Sequence, residues 1–229
     1  MSFLKYFLIW QEVWALLIPF TIIAIYKPAG KQLRLIVWYV ILGFILNFIA
    51  IFMLVFYYLV PDWMHIDGMV NNNILYNIHS VIRVLLFSLY IIAIRQYRYA
   101  VILKIILVTF LVLTLTNFIF IESPFFLSTP LFTAESIVLL AMCFSYFFQS
   151  IQDESDTNWL RHPSFLVCAA ISLYEVITFF IFLFFYPLTL KDPSFHVVTM
   201  QIYSITYILL CILLALAFYQ SKKQTLPER

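Results

Sequence analysis

Apolar residues form seven long runs, which short polar stretches and prolines separate. Eight of the nine prolines lie between these runs or near the C-terminus, and only Pro19 lies inside one. A helix of roughly 20 residues crosses a hydrocarbon core of about 30 Å, and in lipid a helix satisfies its own backbone hydrogen bonds. The pattern therefore predicts a single domain, residues 1–229, of seven transmembrane helices over residues 6–26, 35–60, 74–94, 100–120, 131–150, 165–186 and 197–219.

The composition also indicates that the surroundings are lipid. Hydrophobic residues make up 65% of the chain and charged residues 10%, and the mean hydropathy is +1.02. Soluble domains carry about 25% charged residues. The first run contains Glu12 and is too long for the core of a signal peptide, so we interpret it as a retained helix. The expected fold class is an all-α polytopic membrane protein.

Basic residues in the connections predict the orientation, because they accumulate on the cytoplasmic side. With the N-terminus outside, ten lysines and arginines lie in the cytoplasm and only Lys5 and Lys191 lie outside. We therefore expect a multi-pass protein of the bacterial inner (cytoplasmic) membrane, N-out and C-in. The net charge of +2 provides no basic face for nucleic acid. The longest connections, 61–73 and 151–164, are too short to form a domain.

The third and seventh helices align without a gap at an offset of 124 residues. Residues 77–98, NIHSVIRVLLFSLYIIAIRQYR, share seven identities with residues 201–222, QIYSITYILLCILLALAFYQSK. Helices 1 and 5 and helices 2 and 6 correspond more loosely. The alignment predicts two parallel three-helix repeats joined by helix 4, a 3+1+3 plan that is known among transporters. The alternative is that membrane helices with a few polar residues resemble one another because their compositions are similar.

Several spans contain polar residues at membrane depth. A charged side chain at the centre of a helix costs about 2.5–3.5 kcal/mol on insertion scales, so it normally faces the bundle interior. Arg83 lies near the centre of helix 3, with His79 one turn before it on the same face. We predict an outward-facing polar pocket that forms a ligand-binding or buried polar network from Glu12, Asn47, Asn77, His79, Arg83, Asn117, Glu135, Glu175, Gln201, Tyr203, Ser204 and Tyr207.

The sequence leaves the role of this set open. Arg83 can pair with Glu175 only to fix helix packing, or both can belong to a site for a ligand or ion. A third alternative is proton sensing or proton relay by His79 together with the glutamates.

The chain lacks the residues that several other functions require. The seventh helix has no lysine for a retinal Schiff base, and His79 alone among four histidines lies clearly within a span, so we expect no cofactor and no metal. No GxSG-type nucleophile occurs, and the proline–glutamine pair of 3+1+3 sugar exporters is missing. The cysteines have no ligand or redox spacing. A lysoplasmalogenase-like membrane enzyme, which uses carboxylates in a bundle of this size, remains a third hypothesis.

Three segments carry a resemblance. NNNILYNIHSVIRVLLFSLY, the HPSF entry to helix 6 and the YILLCILLALAFYQSKK ending resemble a group of uncharacterised bacterial seven-helix membrane proteins, found in the Bacteroidota and often encoded near histidine kinases. The resemblance spans most of the chain, although its motifs contain little beyond hydrophobicity. It implies a membrane sensing component with a cytoplasmic partner such as a histidine kinase. Arg83 departs from the acidic residue expected in that group.

These observations lead to one main functional hypothesis and one alternative. The first is a sensor or receptor that binds a small ligand or ion in the outward pocket and signals to a cytoplasmic partner. The alternative is a small-molecule transporter, with proton coupling through the carboxylates. The sequence makes no prediction of the oligomeric state.

Overall fold

The computed structural model describes residues 10–28, 30–59, 72–94, 97–152, 162–189 and 193–223. Within these ranges the chain forms seven α-helices: α1 (Gln11–Tyr26), α2 (Leu33–Leu59), α3 (Asn73–Ala93), α4 (Tyr97–Phe120), α5 (Thr129–Gln152), α6 (Pro163–Thr189) and α7 (Pro193–Lys223). Six of them, α2 to α7, are long and apolar enough to cross a membrane, whereas α1 has 16 residues. These six helices indicate a multi-pass helical membrane protein.

The predicted helices agree with the observed ones in number and, within a few residues, in their bounds. The largest difference is at α7, which extends four residues further at each end than the predicted 197–219. The predicted start of the first helix, at residue 6, lies outside the described residues. So do most of the connections 61–73 and 151–164 and, among the charges that predict the orientation, Lys5, Arg95, Arg161, Lys191 and Arg229. Orientation and the seventh membrane crossing therefore stay predictions.

Six helices form a closed ring, and the seventh lies outside it. Neighbouring pairs around the ring are α1–α2, α2–α3, α3–α5, α5–α6, α6–α7 and α7–α1, while α4 packs against α3 and α5. This order is unchanged when α1, α2 and α3 are exchanged with α5, α6 and α7. The repeat itself stays a prediction, and the ring order is compatible with it.

Contacts between aromatic side chains define the two ends of the bundle. Trp10, which precedes α1, contacts Phe48 in α2 at one end, and Tyr26 in α1 contacts Tyr219 in α7 at the other. We call the first the Asn77 end, because Asn77 contacts the connection between α4 and α5 there. We call the second the Lys27 end, because Lys27 follows α1 there. Lys27 ends that helix in a left-handed conformation, φ 46°.

The buried interior differs between the two halves of the bundle. Toward the Lys27 end its polar members are Tyr39, Tyr90, Ser88 and Ser221, and the described residues place no charged side chain in this part of the core. The buried apolar side chains there include Ile36, Val40, Phe87, Ile91, Leu139, Met142, Cys143, Val167, Cys168, Ile171, Leu210, Cys211, Leu214 and Phe218. The buried ionic residues lie in the middle of the bundle and toward the Asn77 end. An apolar layer therefore separates them from the Lys27 end.

Two apolar grooves flank α4, each with a volume of about 460 Å³. One lies between α4 and α5 and includes Thr109 and Phe110, and the other lies between α3 and α4 and includes Val81 and Phe118. Arg83 and the buried glutamates line neither groove. In a bilayer, apolar grooves of this kind are covered by lipid chains.

Candidate functional site

The centre of the site is Arg83, which lies between two carboxylates inside the ring. Its Nε donates to Glu135 Oε1 in α5 and lies 3.8 Å from Glu175 Oε1 in α6. All three side chains are buried, with exposed fractions of 4%, 0% and 1%. Arg83 is halfway along α3 and buried, so the two carboxylates take the place of hydration around its guanidinium. This arrangement joins α3, α5 and α6.

Hydroxyl groups from neighbouring turns satisfy most of the remaining carboxylate oxygens. Ser80 donates to Glu135 Oε2 at 2.5 Å, and Ser136 donates to Glu175 Oε2 at 2.7 Å. Thr178 also lies 3.3 Å from Glu175 Oε2. Glu175 Oε1 makes no hydrogen bond to any described residue, although it is buried and faces the guanidinium. Both oxygens of Glu135 therefore accept a hydrogen bond, whereas only one oxygen of Glu175 does.

A chain of hydrogen bonds leads from Arg83 across the ring to Tyr203, next to Glu12. Arg83 Nη1 donates to the Tyr174 hydroxyl at 2.8 Å, and that hydroxyl donates to Tyr203 at 3.1 Å. The Tyr203 hydroxyl in turn lies close to the carboxylate of Glu12. The guanidinium also lies over the ring of Tyr174, with Cζ 4.8 Å from the ring centroid. The chain adds α7 and α1 to the helices that the network connects.

Asn47 connects α2 to the same network. Its side-chain amide donates to the Tyr207 hydroxyl at 3.4 Å, and both residues are at least 98% buried. The Tyr207 ring in turn contacts those of Tyr174 and Tyr203, with centroids 6.0 and 6.4 Å away. With this contact, every helix of the ring contributes a side chain to the network.

His79 lies one turn from Arg83 but points toward α2. Its ring stacks on Tyr39, with centroids 5.8 Å apart. Its Nε2 would be 3.2 Å from a Cβ built on Gly43, and Leu16 in α1 would be 3.5 Å from the same Cβ. Glycine at position 43 thus leaves room for the imidazole between α1, α2 and α3. His79 is 7% exposed, and its Nε2 has no hydrogen-bond partner in the described part of the chain.

Asn77 and Asn117 lie apart from the ionic network, at the connection between α4 and α5. Asn77 Nδ2 donates to the carbonyls of Pro124 and Phe126 at 2.9 and 2.8 Å, and the Ser128 amide donates to Asn77 Oδ1 at 3.4 Å. Asn117 bonds Glu122 and Ser128 there. These side chains fix the connection, because its carbonyls would otherwise be unsatisfied.

Two further residues of the predicted set contribute little to the network. Gln201 is exposed, and Ser204 donates to the carbonyl of Met200, one turn earlier in its own helix. Glu12, Asn47, Arg83, Glu135, Glu175, Tyr203 and Tyr207 come together, and His79 borders them. The predicted set omits Tyr174, Ser80, Ser136 and Thr178, which the network also contains. The three-residue spacing from Ser80 to Arg83 and from Glu175 to Thr178 could have indicated the hydroxyls.

The described part of the chain contains no familiar catalytic arrangement. The Ser80 hydroxyl donates to Glu135 and not to the adjacent His79, so these neighbours form no serine–histidine dyad. In the described ranges, no three His, Cys, Asp or Glu side chains come together as ligands for a metal ion. Comparison with known protein families, with characterised proteins and with solved structures gave no match.

Proposed function

We propose that this protein is a membrane receptor, which binds a small ligand or ion within the polar network and transmits a change in helix position to a cytoplasmic partner. The network is defined here as Arg83, Glu135, Glu175, Tyr174, Tyr203, Glu12, Asn47 and Tyr207 with their hydroxyl donors Ser80, Ser136 and Thr178. The ligand enters from the Asn77 end, which the basic residues of the connections assign to the outside.

The observation that carries this proposal is the connection of all six ring helices through one buried network. Arg83 joins α3, α5 and α6, Tyr174 and Tyr203 extend the chain to α7 and α1, and Asn47 adds α2. A ligand that replaces one of these contacts changes the preferred positions of several helices together. A ligand shifts such an equilibrium only by its difference in affinity between the two arrangements.

The apolar layer toward the Lys27 end favours a receptor over a transporter. A transported solute needs polar groups on both sides of its binding site, whereas a receptor needs only a rigid connection through the second half. Closely packed side chains such as Phe87, Met142 and Phe218 provide that connection, because a packed core transmits displacement. The resemblance to proteins encoded near histidine kinases supports a kinase as the cytoplasmic partner.

The proposal can be tested by measuring helix positions at the Lys27 end while the network is altered. Ala93 in α3 and Tyr219 in α7 are exposed near this end, on opposite sides of the ring. Spin labels at these positions, after replacement of the three buried cysteines, report the distance across the ring. We expect Arg83→Gln and Glu12→Gln each to shift the distance distribution.

Thr116→Val is the control variant, because Thr116 is exposed on α4 and donates only within its own helix, to the Val112 carbonyl. It should leave the distribution unchanged. Unchanged distances in both Arg83→Gln and Glu12→Gln would remove the coupling on which the receptor proposal depends.

A transporter is the second candidate, and the ring order favours it. Exchanging the halves α1–α3 and α5–α7 leaves the neighbour relations unchanged, as expected for a repeat-based transporter. Proton-coupled transport predicts proton flux into liposomes that contain the protein and a pH-sensitive dye, and a reduced flux for Glu175→Gln. Flux equal to that of protein-free liposomes would exclude proton coupling.

A further inference from the structure

We propose that the Glu12 side of the network binds a small organic cation, through an ammonium or guanidinium group. The binding position, which we call the Glu12 site, is formed by Glu12, Asn47, Tyr76, Tyr203 and Tyr207. This inference rests on the proposed function, since it names the ligand class of the same network.

The two halves of the ring make comparable contacts between their helices. In one half Glu135 of α5 bonds Arg83 of α3, and Glu175 of α6 lies 3.8 Å from the same guanidinium. In the other half the Glu12 carboxylate of α1 lies close to the Tyr203 hydroxyl of α7, and Asn47 of α2 bonds Tyr207 of α7.

The sequence alignment places Tyr207 at the position of Arg83. The same relationship therefore occurs twice in the ring. Glu135 in α5 faces α3, and Glu12 in α1 faces α7. One half contains its own guanidinium and the other contains a tyrosine there. A cation bound beside Glu12 would supply the charge that Arg83 supplies to Glu135.

The balance of charge supports this assignment. The network contains three carboxylates and one guanidinium, and Arg83 is already engaged by Glu135 and Glu175. Among the described residues no lysine or arginine pairs with Glu12. The Tyr203 hydroxyl at the end of the Arg83–Tyr174–Tyr203 chain lies close to the Glu12 carboxylate. A carboxylate at this depth is costly without a positive partner.

Of the three carboxylates, Glu12 is the most exposed. Glu135 and Glu175 are 0% and 1% exposed, whereas Glu12 is only partly buried and lies in the first turn of α1, at the Asn77 end. A ligand from that side reaches Glu12 before the Arg83 ion pairs.

The surroundings of Glu12 suit an organic cation. Tyr76 and Tyr203 both interact with the Glu12 carboxylate, and Tyr207 lies next to Tyr203. Tyrosine rings attract cations through their faces, as Tyr174 does with Arg83 at 4.8 Å. Three aromatic rings and one carboxylate match an ammonium or guanidinium group with a short apolar substituent.

His79 supplies an independent indication of a ligand. Its Nε2 is buried without a hydrogen-bond partner in the described ranges, which is costly for a polar atom. His79 lies one turn beyond Tyr76 on α3, and Leu16 lies one turn beyond Glu12 on α1. The side chains of His79 and Leu16 both lie next to the position that a Cβ on Gly43 would occupy. The free nitrogen is thus one helical turn below the carboxylate, where it can accept a hydrogen bond from the bound cation.

The test uses the purified full-length chain in lipid nanodiscs with propylammonium and propylguanidinium as probes. Butyrate serves as the anionic probe of similar size, and sodium chloride keeps the ionic strength constant. We expect both cations, but not butyrate, to raise the unfolding temperature with a saturating concentration dependence. Glu12→Gln keeps the shape of the side chain and should weaken the apparent affinity about 30-fold or more, because one member of a buried charge pair is lost.

Glu122→Gln is the matched control, because Glu122 is also a carboxylate at the Asn77 end but bonds Ser128 and Asn117. It should bind both cations as the unaltered chain does. A second variant, Tyr207→Arg, places a guanidinium opposite Glu12 and should abolish the cation effect even where Glu12→Gln unfolds.

Absence of stabilisation by either cation, or equal stabilisation of the unaltered chain and Glu12→Gln, overturns the inference. Stabilisation by butyrate that depends on Arg83 overturns it too, but leaves the receptor proposal intact. The receptor proposal itself is decided by the spin-label distances between Ala93 and Tyr219, which need no added probe.

Discussion

Arg83 and Tyr174 are joined in two ways: Nη1 donates to the tyrosine hydroxyl at 2.8 Å, and the guanidinium lies over the aromatic ring. The hydroxyl also donates to Tyr203, so it connects the ionic and the tyrosine-rich parts of the network. A single oxygen atom therefore holds α3, α6 and α7 in one arrangement.

Tyr174→Phe removes that oxygen and keeps the ring. We expect a loss of about 1–2 kcal/mol in the free energy of unfolding, because buried hydrogen bonds in membrane proteins contribute in this range. Unfolding in mixed micelles with increasing sodium dodecyl sulfate measures it. Tyr219→Phe is the control, since that ring is 45% exposed, and it should change stability little. Equal losses in the two variants would show that the Tyr174 hydroxyl contributes nothing specific.

The carboxylates beside Arg83 should differ in their contribution. Glu135 bonds both Arg83 and Ser80, whereas Glu175 Oε1 faces the guanidinium without a hydrogen bond. We therefore expect Glu135→Gln to lower the free energy of unfolding more than Glu175→Gln. Arg83→Met should cost most, about 3–5 kcal/mol, because it leaves two buried carboxylates without a cation.

A double variant separates the ion pair from general disruption of the core. Glu135→Gln added to Arg83→Met removes one of the carboxylates left without a partner, so part of the lost stability should return. The same micelle titration measures all four proteins. Additive losses in the double variant would contradict an interaction between Arg83 and Glu135.

The helices follow from the sequence because the physics of lipid leaves few choices. A long apolar run must form a helix, so the seven runs indicated seven helices, and the prolines indicated their approximate limits. Pro163 and Pro193 even begin α6 and α7, since proline fits the first helical turn. The placement of α4 outside the ring could not be predicted in the same way. Its apolar residues suit lipid and helix contacts equally.

The candidate site was only partly predictable, for a related reason. Arg83, Glu135 and Glu175 had to face the interior, because charge is costly in lipid. Asn77 and Gln201 align with each other in the predicted repeat, yet Asn77 bonds the carbonyls of a loop and Gln201 is exposed. Amides tolerate more surroundings than charges do, so depth alone does not determine their partners. Tyr174 was missed because a tyrosine in an apolar run gives no signal of its hydroxyl's partner.

Asn77 should be the main determinant of order in the connection between α4 and α5. It makes three hydrogen bonds to backbone groups of Pro124, Phe126 and Ser128. Asn77→Ala should raise hydrogen exchange across residues 122–128 at least about tenfold, since each buried bond contributes about 1 kcal/mol. The control is Asn73→Ala, which removes a 3.3 Å bond to Phe125 at an exposed position, and should have a smaller effect. Exchange that is equally fast in both variants would contradict this role.

Gly43 should be coupled energetically to His79. A methyl group on Gly43 would approach the imidazole Nε2 to 3.2 Å, so Gly43→Ala should cost about 1 kcal/mol or more through overpacking. With His79→Ala already present, that cost should vanish, because the crowded atom is gone. Alanine could then even stabilise α2 by about 1 kcal/mol through its helix propensity. A double-mutant cycle in the micelle titration measures the coupling, and a value near zero would separate the two residues.

The orientation predicted from the basic residues has a direct consequence for chemical labelling. The three cysteines are buried, so single cysteines introduced at exposed positions report their own side of the membrane. Ser123 lies in the connection at the Asn77 end and Lys223 ends α7 at the Lys27 end, and both are exposed. In intact cells, a membrane-impermeant maleimide should label Ser123→Cys and leave Lys223→Cys unlabelled until the membrane is opened. The reverse pattern would place the Glu12 site on the cytoplasmic side, where a receptor for external ligands could not use it. Labelling therefore decides which compartment supplies the ligand.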